Sequence, residues 1–346
     1  MLRTTLVTTL ISASLLGACT DEMAGDDTTA SGDGKADGWG VSVERKVLEE
    51  SHQPSNVLQD ATHVYYMVFT EEDSQNDPQT HSVMRVRRSD GKLDKLATIP
   101  GFPNHAALGG SFIYYSTYDG IYKLAKSGGQ AQLVIAGEGA TAIAADATAV
   151  YYAMPAIENE TYFHRITKLV AGTTTPIELG RATYVTGLGV DDTNVYWLDE
   201  TLPNPAVGCG QNAGFAHKVS KLGGADITLQ AGINCPLSLT VDSGANLYYA
   251  SWAPQANGSL ISKLSKFGGV ALPLGSLGAI PIVTDAVATY WVSPNGNLMR
   301  QAKAFGLPRV VTSNVHDVVA GADVLGLYYW REQAEPRMYS LYRIGQ

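Results

Sequence analysis

The sequence predicts an all-β chain folded as a single seven-bladed β-propeller of four-stranded antiparallel blades. Three observations lead to this prediction: an aromatic motif that recurs seven times, a basic motif that follows it, and 36 glycines among 346 residues. Charged residues make up 16% of the chain and hydrophobic residues 45%, which is typical of a globular body with a sizeable core.

The aromatic motif marks the second strand of each predicted blade. An apolar segment ends in Asp, or once in Gly, and a Tyr followed by a second aromatic residue comes five or six residues later. Because these strands are apolar on both faces, they suit blades packed between two neighbours. Since the copies are degenerate, six or eight blades are the alternative counts. The copies are Asp60…Tyr65-Tyr66, Gly109…Tyr114-Tyr115, Asp146…Tyr151-Tyr152, Asp191…Tyr196-Trp197, Asp242…Tyr248-Tyr249, Asp285…Tyr290-Trp291 and Asp323…Tyr328-Tyr329.

The basic motif marks the third strand, with Lys or Arg at its first and fourth positions. A glycine turn such as Gly128-Gly129 often follows and supplies the positive φ values that tight hairpins need, and a fourth apolar strand completes the copy. The clearest copies are Arg85–Arg88, Lys123–Lys126, Arg165–Lys168, Lys218–Lys221 and Lys263–Lys266.

These copies resemble the YWTD, TolB-like and NHL-like propeller repeats, most visibly in Asp191-Asp192-Thr193-Asn194-Val195-Tyr196-Trp197. The resemblance covers nearly the whole chain after residue 40 and implies the fold. Since such families span receptors, scaffolds and enzymes, it implies no particular activity.

The two ends of the predicted domain complement each other. The seventh copy stops after its third strand, at Leu341–Ile344, and a strand-like segment at Val41–Leu48 precedes the first copy. We expect this N-terminal strand to supply the outer strand of the last blade, because that blade would otherwise expose an unpaired edge.

The N-terminus predicts export and a lipid anchor. Arg3 precedes a short apolar stretch, Leu6–Leu16, and the segment Leu16-Gly17-Ala18-Cys19 resembles the lipobox of bacterial lipoproteins. That resemblance implies removal of a signal peptide at 1–18 and attachment of a diacylglyceryl group to Cys19. An ordinary secretory signal with a chance cysteine is the alternative.

Residues 19–40 predict a disordered acidic tether between this anchor and a propeller domain at 41–346. The segment Asp33–Gly38 partly mimics a calcium loop, but Lys35 stands where an oxygen donor is needed. The net charge of −9 argues against a nucleic-acid partner.

The loops between second and third strands vary most in length, at 68–82, 153–162, 198–216 and 251–259. In an up-and-down blade these loops lie on the same rim as the connections between blades. Their variation in length indicates either a binding surface or neutral drift in loop length. Cys209 and Cys235 would both lie on that rim. In an oxidising compartment we expect them to form a disulfide, with a metal site as the alternative.

Polar residues at the starts of the innermost strands should ring the mouth of the central channel. A catalytic channel would need several of them to converge, whereas ordinary pore-lining polar residues are the alternative. The candidates are Asn56, Asn104, His105, Thr141, Thr186, Ser238, His316 and Asp317.

No nucleophile elbow, phosphate loop or metalloprotease helix is present, so the sequence predicts no catalytic residue, metal or cofactor. The leading hypothesis is a monomeric, membrane-anchored module of the cell envelope that binds a protein, peptide or glycan. It would sit on the periplasmic face of the outer membrane or on the cell surface. The alternatives are an enzyme acting on a lactone or glycan through the channel, with His105, His316 and Asp317, and a structural envelope protein.

Overall fold

The computed structural model describes residues 44–70, 80–201, 212–253, 258–277, 279–303, 306–315, 317–323, 326–333 and 338–344. Over these ranges the chain forms 28 strands joined by turns. No helix in the described ranges is long and apolar enough to cross a membrane.

The strands form seven four-stranded sheets, which confirms the predicted seven-bladed propeller. Within blades 1 to 6 the strands follow in chain order from the innermost to the outermost. Blade 1 comprises β2 (Pro54–Gln59), β3 (His63–Thr70), β4 (Thr80–Arg87) and β5 (Leu93–Pro100); blade 2, β6 (His105–Gly109), β7 (Phe112–Thr117), β8 (Gly120–Ala125) and β9 (Gln132–Ala136); blade 3, β10 (Ala142–Ala145), β11 (Ala149–Glu158), β12 (Thr161–Val170) and β13 (Ile177–Ala182). Blade 4 comprises β14 (Tyr184–Val190), β15 (Asn194–Glu200), β16 (Gly214–Ser220) and β17 (Ile227–Ile233); blade 5, β18 (Pro236–Val241), β19 (Asn246–Ala253), β20 (Gly258–Ser265) and β21 (Leu272–Leu277); blade 6, β22 (Ala279–Thr284), β23 (Ala288–Val292), β24 (Leu298–Ala302) and β25 (Arg309–Thr312).

Blade 7 is completed by the N-terminal strand, as predicted. Its inner strands are β26 (Asp317–Asp323), β27 (Gly326–Gln333) and β28 (Met338–Ile344), and its outer strand is β1 (Glu44–Glu50). β1 runs antiparallel to β28, from the Glu44–Ile344 pair to the Glu50–Tyr339 pair. The innermost strands of successive blades contact one another around the whole ring, from β2 and β6 to β26 and β2.

The antiparallel order gives the propeller two faces. One face, the loop face, carries the connections between second and third strands and those between blades. The other, the turn face, carries the turns that join first to second strands, such as 60–62, and third to fourth strands, such as 221–226. Strand β1 begins at the turn face, because Glu44 pairs with Ile344 and Ile344 in turn pairs with Leu327.

The second strands form the core because both of their faces are buried between neighbouring blades. On β15, Val195 and Trp197 pack against blade 3, whereas Tyr196 and Leu198 pack against blade 5. This double burial explains why the aromatic motif is apolar at consecutive positions, unlike a strand with one face in water.

The recurring Asp organises the first-to-second-strand turn of blades 1, 3, 4, 5 and 6. In blade 4 one oxygen of Asp191 accepts the N–H groups of Thr193 and Asn194, each at 2.9 Å, and the other accepts the hydroxyl of Tyr196 at 2.8 Å. The same side chain receives Lys266 Nζ of blade 5 at 3.0 Å. Burial raises the pKa of Asp191, but these hydrogen bonds outweigh it and hold the pKa well below the ordinary value.

The Asp–Lys contact repeats between successive blades, with the lysine always contributed by the following blade. The further pairs are Lys126–Asp60, Lys221–Asp146 and Lys303–Asp242. At the boundary between blades 2 and 3 both partners are replaced, by Gly109 and Ala171. A Cβ atom at Gly109 would lie 2.7 Å from the carbonyl oxygen of Asp146, so the backbone of blade 3 occupies the space of a side chain there.

This replacement corrects the predicted third strand of blade 3. Its basic motif was predicted at Arg165–Lys168, but the residue paired with Tyr151 is Lys168, which takes the first position of the motif. Arg165 lies three residues earlier, pairs with Met154 and forms an ion pair with Glu158. Because Ala171 removes the second basic residue, the spacing alone selected the wrong register.

The predicted insertion at 153–162 is also corrected. Those residues lengthen β11 and β12, which are joined by a two-residue turn at Asn159-Glu160. Both turn residues have positive φ, 48° and 62°, as a tight hairpin turn requires. Blade 3 therefore extends as a long hairpin at the loop face.

Candidate functional site

The most densely connected polar group on the loop face lies where blades 3 and 4 meet, and it centres on His164. This side chain is fully buried. Its Nδ1 accepts the N–H of Val185 in blade 4 at 3.1 Å and lies 3.0 Å from Thr141 Oγ1. Its Nε2 lies 2.9 Å from the Tyr162 hydroxyl, and its ring centroid is 4.9 Å from that of Tyr184.

These contacts keep His164 neutral. Burial lowers its pKa to about 4, and the charge of Asp199 opposes this shift only in part. Since Nδ1 accepts a backbone N–H, the proton of the neutral ring belongs on Nε2, facing Tyr162. A neutral, fully hydrogen-bonded histidine of this kind positions strands across the blade boundary.

Two buried carboxylates end the second strand of blade 4. Asp199 and Glu200 are 8% and 6% exposed. Burial, followed by the neighbouring Asp199 charge, raises the pKa of Glu200. Among the described residues, Glu200 Oε2 has no hydrogen-bond partner. A buried carboxylate oxygen without a hydrogen-bond partner is typical of sites that meet a ligand.

Asp199 is linked to the body of blade 4 through His217. The Nε2 atom of His217 lies 3.2 Å from Asp199 Oδ1, and its Nδ1 lies 3.4 Å from Asp226 Oδ2. The His217 ring stacks on Trp197 with a centroid separation of 5.2 Å. This stack fixes the imidazole beside the carboxylate.

The predicted channel-mouth residues separate into different environments. Asn56 donates from Nδ2 to the carbonyl of Pro103 at 2.7 Å, next to Asn104, which is exposed. Thr141 joins the His164 group. The hydroxyls of Thr186 and Ser238, on adjacent innermost strands, are buried and have no hydrogen-bond partner among the described residues.

The histidines and the acid proposed for an enzymatic channel are only partly described. His105 is open to water at the start of β6, yet the surrounding protein lowers its pKa by desolvation. His316 lies outside the described residues. Asp317 pairs through its backbone with Trp330, and its side chain is not described. The convergence of these three groups stays a prediction.

The cysteine predictions are also only partly described. Cys19 and Cys209 lie outside the described residues. Cys235 lies at the loop face between β17 and β18, where it is buried and has a φ of 38°. The Cys209–Cys235 disulfide stays a prediction.

The loop face also exposes large apolar side chains. Phe102, Tyr118, Ile157 and Trp252 are 58%, 85%, 72% and 41% exposed and belong to the loops or strand ends of blades 1, 2, 3 and 5. Aromatic residues of this kind are enriched at binding surfaces because they contribute large contact areas at low entropic cost. These four residues are called the loop-face apolar set.

Sequence reasoning missed the His164, Asp199 and His217 group because its members are far apart in the chain and match no motif. The adjacent acids Asp199-Glu200 after an aromatic strand were the one available signal. No group of three or more His, Cys, Asp or Glu side chains within the described ranges is arranged to hold a metal ion.

Comparisons with known proteins concern the fold alone. No protein-family model matches the chain, and no curated protein matches it. Solved structures do match. The β-propeller domain of the Trilobed protease from Pyrococcus furiosus aligns with a TM-score of 0.62 and 9% identity, over 85% of this chain and 95% of that chain.

Two enzymes are similar in fold. The oligogalacturonate lyase of Vibrio parahaemolyticus gives a TM-score of 0.58 and 10% identity, over 89% of this chain and 95% of that chain. The acylaminoacyl peptidase of Pyrococcus horikoshii gives 0.62 and 11%, over 84% of this chain and 51% of that chain. At such low identity these likenesses confirm the predicted propeller resemblance at the level of fold.

Proposed function

We propose that this protein is a lipid-anchored binding module of the bacterial cell envelope that presents its loop face to a protein, peptide or glycan. Export, cleavage before Cys19 and lipidation of that cysteine are part of the proposal. They rest on the apolar N-terminal stretch and the segment Leu16–Cys19.

The observation that carries the proposal is the opposite placement of β1 and the long loops. Strand β1 begins at the turn face, at Glu44, whereas the second strands end at the loop face. An anchor joined to the propeller ahead of Glu44 therefore attaches at the turn face. The loop face lies at the opposite end of the strands from this attachment point, so the tether does not cover it and a ligand can reach it.

The composition of the loop face supports ligand binding. It combines the loop-face apolar set with the buried acids Asp199 and Glu200 at the end of blade 4. Exposed aromatic residues and less exposed polar groups are both frequent in binding surfaces. The predicted Cys209–Cys235 disulfide would stabilise the blade 4 loop of the same face.

The alternative is an enzyme that acts on a lactone or glycan in the channel. It is favoured by one observation: the surrounding protein lowers the pKa of His105 by desolvation, and perturbed pKa values cluster at functional sites. The loop-face proposal draws on more of the described residues, and we therefore prefer it.

Two experiments test the proposal. Mass spectrometry of the N-terminal peptide from envelope fractions should show a diacylglyceryl group on Cys19, and a Cys19→Ala chain should leave the membrane fraction. An unmodified Cys19 in the purified protein would contradict the anchor.

The binding surface is tested by crosslinked capture from envelope extracts with the triple variant Tyr118→Ser, Ile157→Ser and Trp252→Ser. We expect this variant to lose its specific partner by at least roughly tenfold. A matched control with exposed outer-strand residues, Ile227→Ser and Leu272→Ser, should retain it. Equal capture by both variants would contradict the loop-face assignment.

A further inference from the structure

Four side chains at the turn face are almost fully exposed although they are large and apolar. Leu222, Phe267, Val270 and Leu307 are 95%, 84%, 91% and 84% exposed. They lie in the turns between the third and fourth strands of blades 4, 5 and 6, which are consecutive blades. These four residues are named the apolar turn sector.

The same turn positions are polar elsewhere in the propeller. In blade 2 the turn reads Lys126-Ser127-Gly128-Gly129-Gln130, against Lys266-Phe267-Gly268-Gly269-Val270 in blade 5. Ser127 and Gln130 are exposed like their apolar counterparts. The glycine pairs have nearly equal φ values, 92° and 117° against 89° and 118°. The turn therefore folds equally well with polar tips, so the fold does not require the apolar ones.

Three lysines beneath the apolar turn sector are paired with aspartates. Lys266 Nζ lies 3.0 Å from Asp191 Oδ2, Lys303 Nζ lies 3.2 Å from Asp242 Oδ2, and Lys221 pairs with Asp146. Lys218 Nζ lies 5.6 Å from the Phe267 ring centroid and donates to the Lys266 carbonyl. The sector thus presents apolar tips above three ion pairs and the positively charged Lys218.

The N-terminal strand enters the propeller beside this sector. Glu44 lies at the turn face of blade 7, and blade 7 follows blade 6, which carries Leu307. Only 24 residues, 20–43, separate Cys19 from Glu44. A lipid anchor on Cys19 would hold this sector close to a bilayer, within roughly 80 Å even for a fully extended chain.

From these observations we infer that the apolar turn sector docks the propeller onto the lipid bilayer surface, with its loop face directed away from the membrane. Separate apolar tips on hairpin turns can insert among lipid headgroups without requiring a complementary protein surface. The inference rests on the proposed anchor for its biological setting, but the docking itself is a property of the propeller.

The experiment measures binding to phosphatidylcholine vesicles by flotation, using the chain from residue 19 onward with Cys19→Ala, so that no lipid is attached. The ring of seven blades closes within residues 44–344, which this chain contains. We expect half-maximal binding near about 0.1 mM lipid, the order of a single acyl chain. Because phosphatidylcholine carries no net charge, 0.5 M salt should change this value by less than about twofold.

Two variants locate the contact. A quadruple variant of the apolar turn sector should weaken vesicle binding at least tenfold with an unchanged circular dichroism spectrum. Its substitutions are Leu222→Ser, Phe267→Ser, Val270→Ser and Leu307→Ser. The matched loop-face variant, Tyr118→Ser with Ile157→Ser, should bind as the parent chain does.

Three outcomes would overturn the inference: no binding up to about 5 mM lipid, equal binding by both variants, or loss of a dimer instead of vesicle binding in the turn variant. The last would assign the sector to a second copy of the chain. Failure of the anchor is distinguishable, because it would appear as unmodified Cys19 while the Cys19→Ala chain still binds vesicles.

Discussion

His164 shows how one side chain can join two blades and make their contact depend on pH. Its Nδ1 accepts the Val185 N–H across the blade boundary, and the ring is fully buried. Protonation of Nδ1 would break this hydrogen bond and place a charge in a buried site. The neutral form is therefore the one that the folded state stabilises.

This arrangement predicts lower stability at acid pH. Because burial lowers the pKa of folded His164 to about 4, against an ordinary value of 6.5, the unfolded chain binds more protons between these values. The free energy of unfolding should fall by about 3 kcal/mol from this group as the pH drops from 7 to 4. Urea unfolding at several pH values measures it.

The variant His164→Gln provides the control, since its amide oxygen can still accept the Val185 N–H but does not titrate. We expect it to be less stable at pH 7 and to show a shallower pH dependence between pH 4.5 and 7. An unchanged slope in this variant would assign the acid sensitivity to other groups.

At the scale of the element, β1 closes the ring by covering the edge of β28. Tyr339 and Leu341 on β28 are buried, and Val47 and Leu48 of β1 pack against the cluster to which they belong. Without β1 this strand would expose both its backbone groups and its apolar side chains.

Removal of residues 1–50 should therefore destabilise the propeller by roughly 3–6 kcal/mol, from lost apolar burial and strand hydrogen bonds. The melting temperature should fall by roughly 5–10 °C, measured by calorimetry. A chain that begins at residue 44 keeps β1 and is the control, with an expected melting temperature close to that of the longer chain. Equal melting temperatures for both truncations would show that the blade 7 edge does not need β1.

At the scale of the whole molecule, the Asp–Lys pairs connect successive blades on the turn face. Lys266 is 6% exposed and lies between Asp191 of blade 4 and Asp242 of its own blade. Lys126, which pairs with Asp60, is more exposed. Burial decides how much the loss of each lysine lowers the free energy of unfolding, because a buried carboxylate without its cation destabilises the folded state.

Lys266→Met should lower the free energy of unfolding by about 3 kcal/mol, whereas Lys126→Met should cost under about 1 kcal/mol. The double variant Lys266→Met with Asp191→Asn should be less destabilised than the sum of its single variants, since no charge is stranded between the blades. Additive effects in this double-mutant cycle would show that the pair is not coupled.

Much of this molecule was predictable because its repeats are local. The Tyr65-Tyr66 type of motif and the glycine turns depend on residues within one blade, so the blade number and the closing strand could be derived from the chain. Blade 3 was the exception. Its second basic position is Ala171, so only Lys168 of the true motif is basic. Arg165 lies three residues before Lys168, and this pair has the same spacing as the motif and was mistaken for it. The reason lies in blade 2, where the close approach of the Asp146 carbonyl leaves no room for an Asp at Gly109.

The sequence by itself determined the propeller, its seven blades and the strand that completes the ring, because each follows from periodic burial and from an edge that must be covered. Only the tertiary structure decided that Asp199 pairs with His217 and acts on His164 through its charge. It also decided that the lysine of one blade pairs with the aspartate of the preceding one, and that β1 begins opposite the long loops. These relations join residues on different strands or blades, and their positions follow from how the blades pack in the ring.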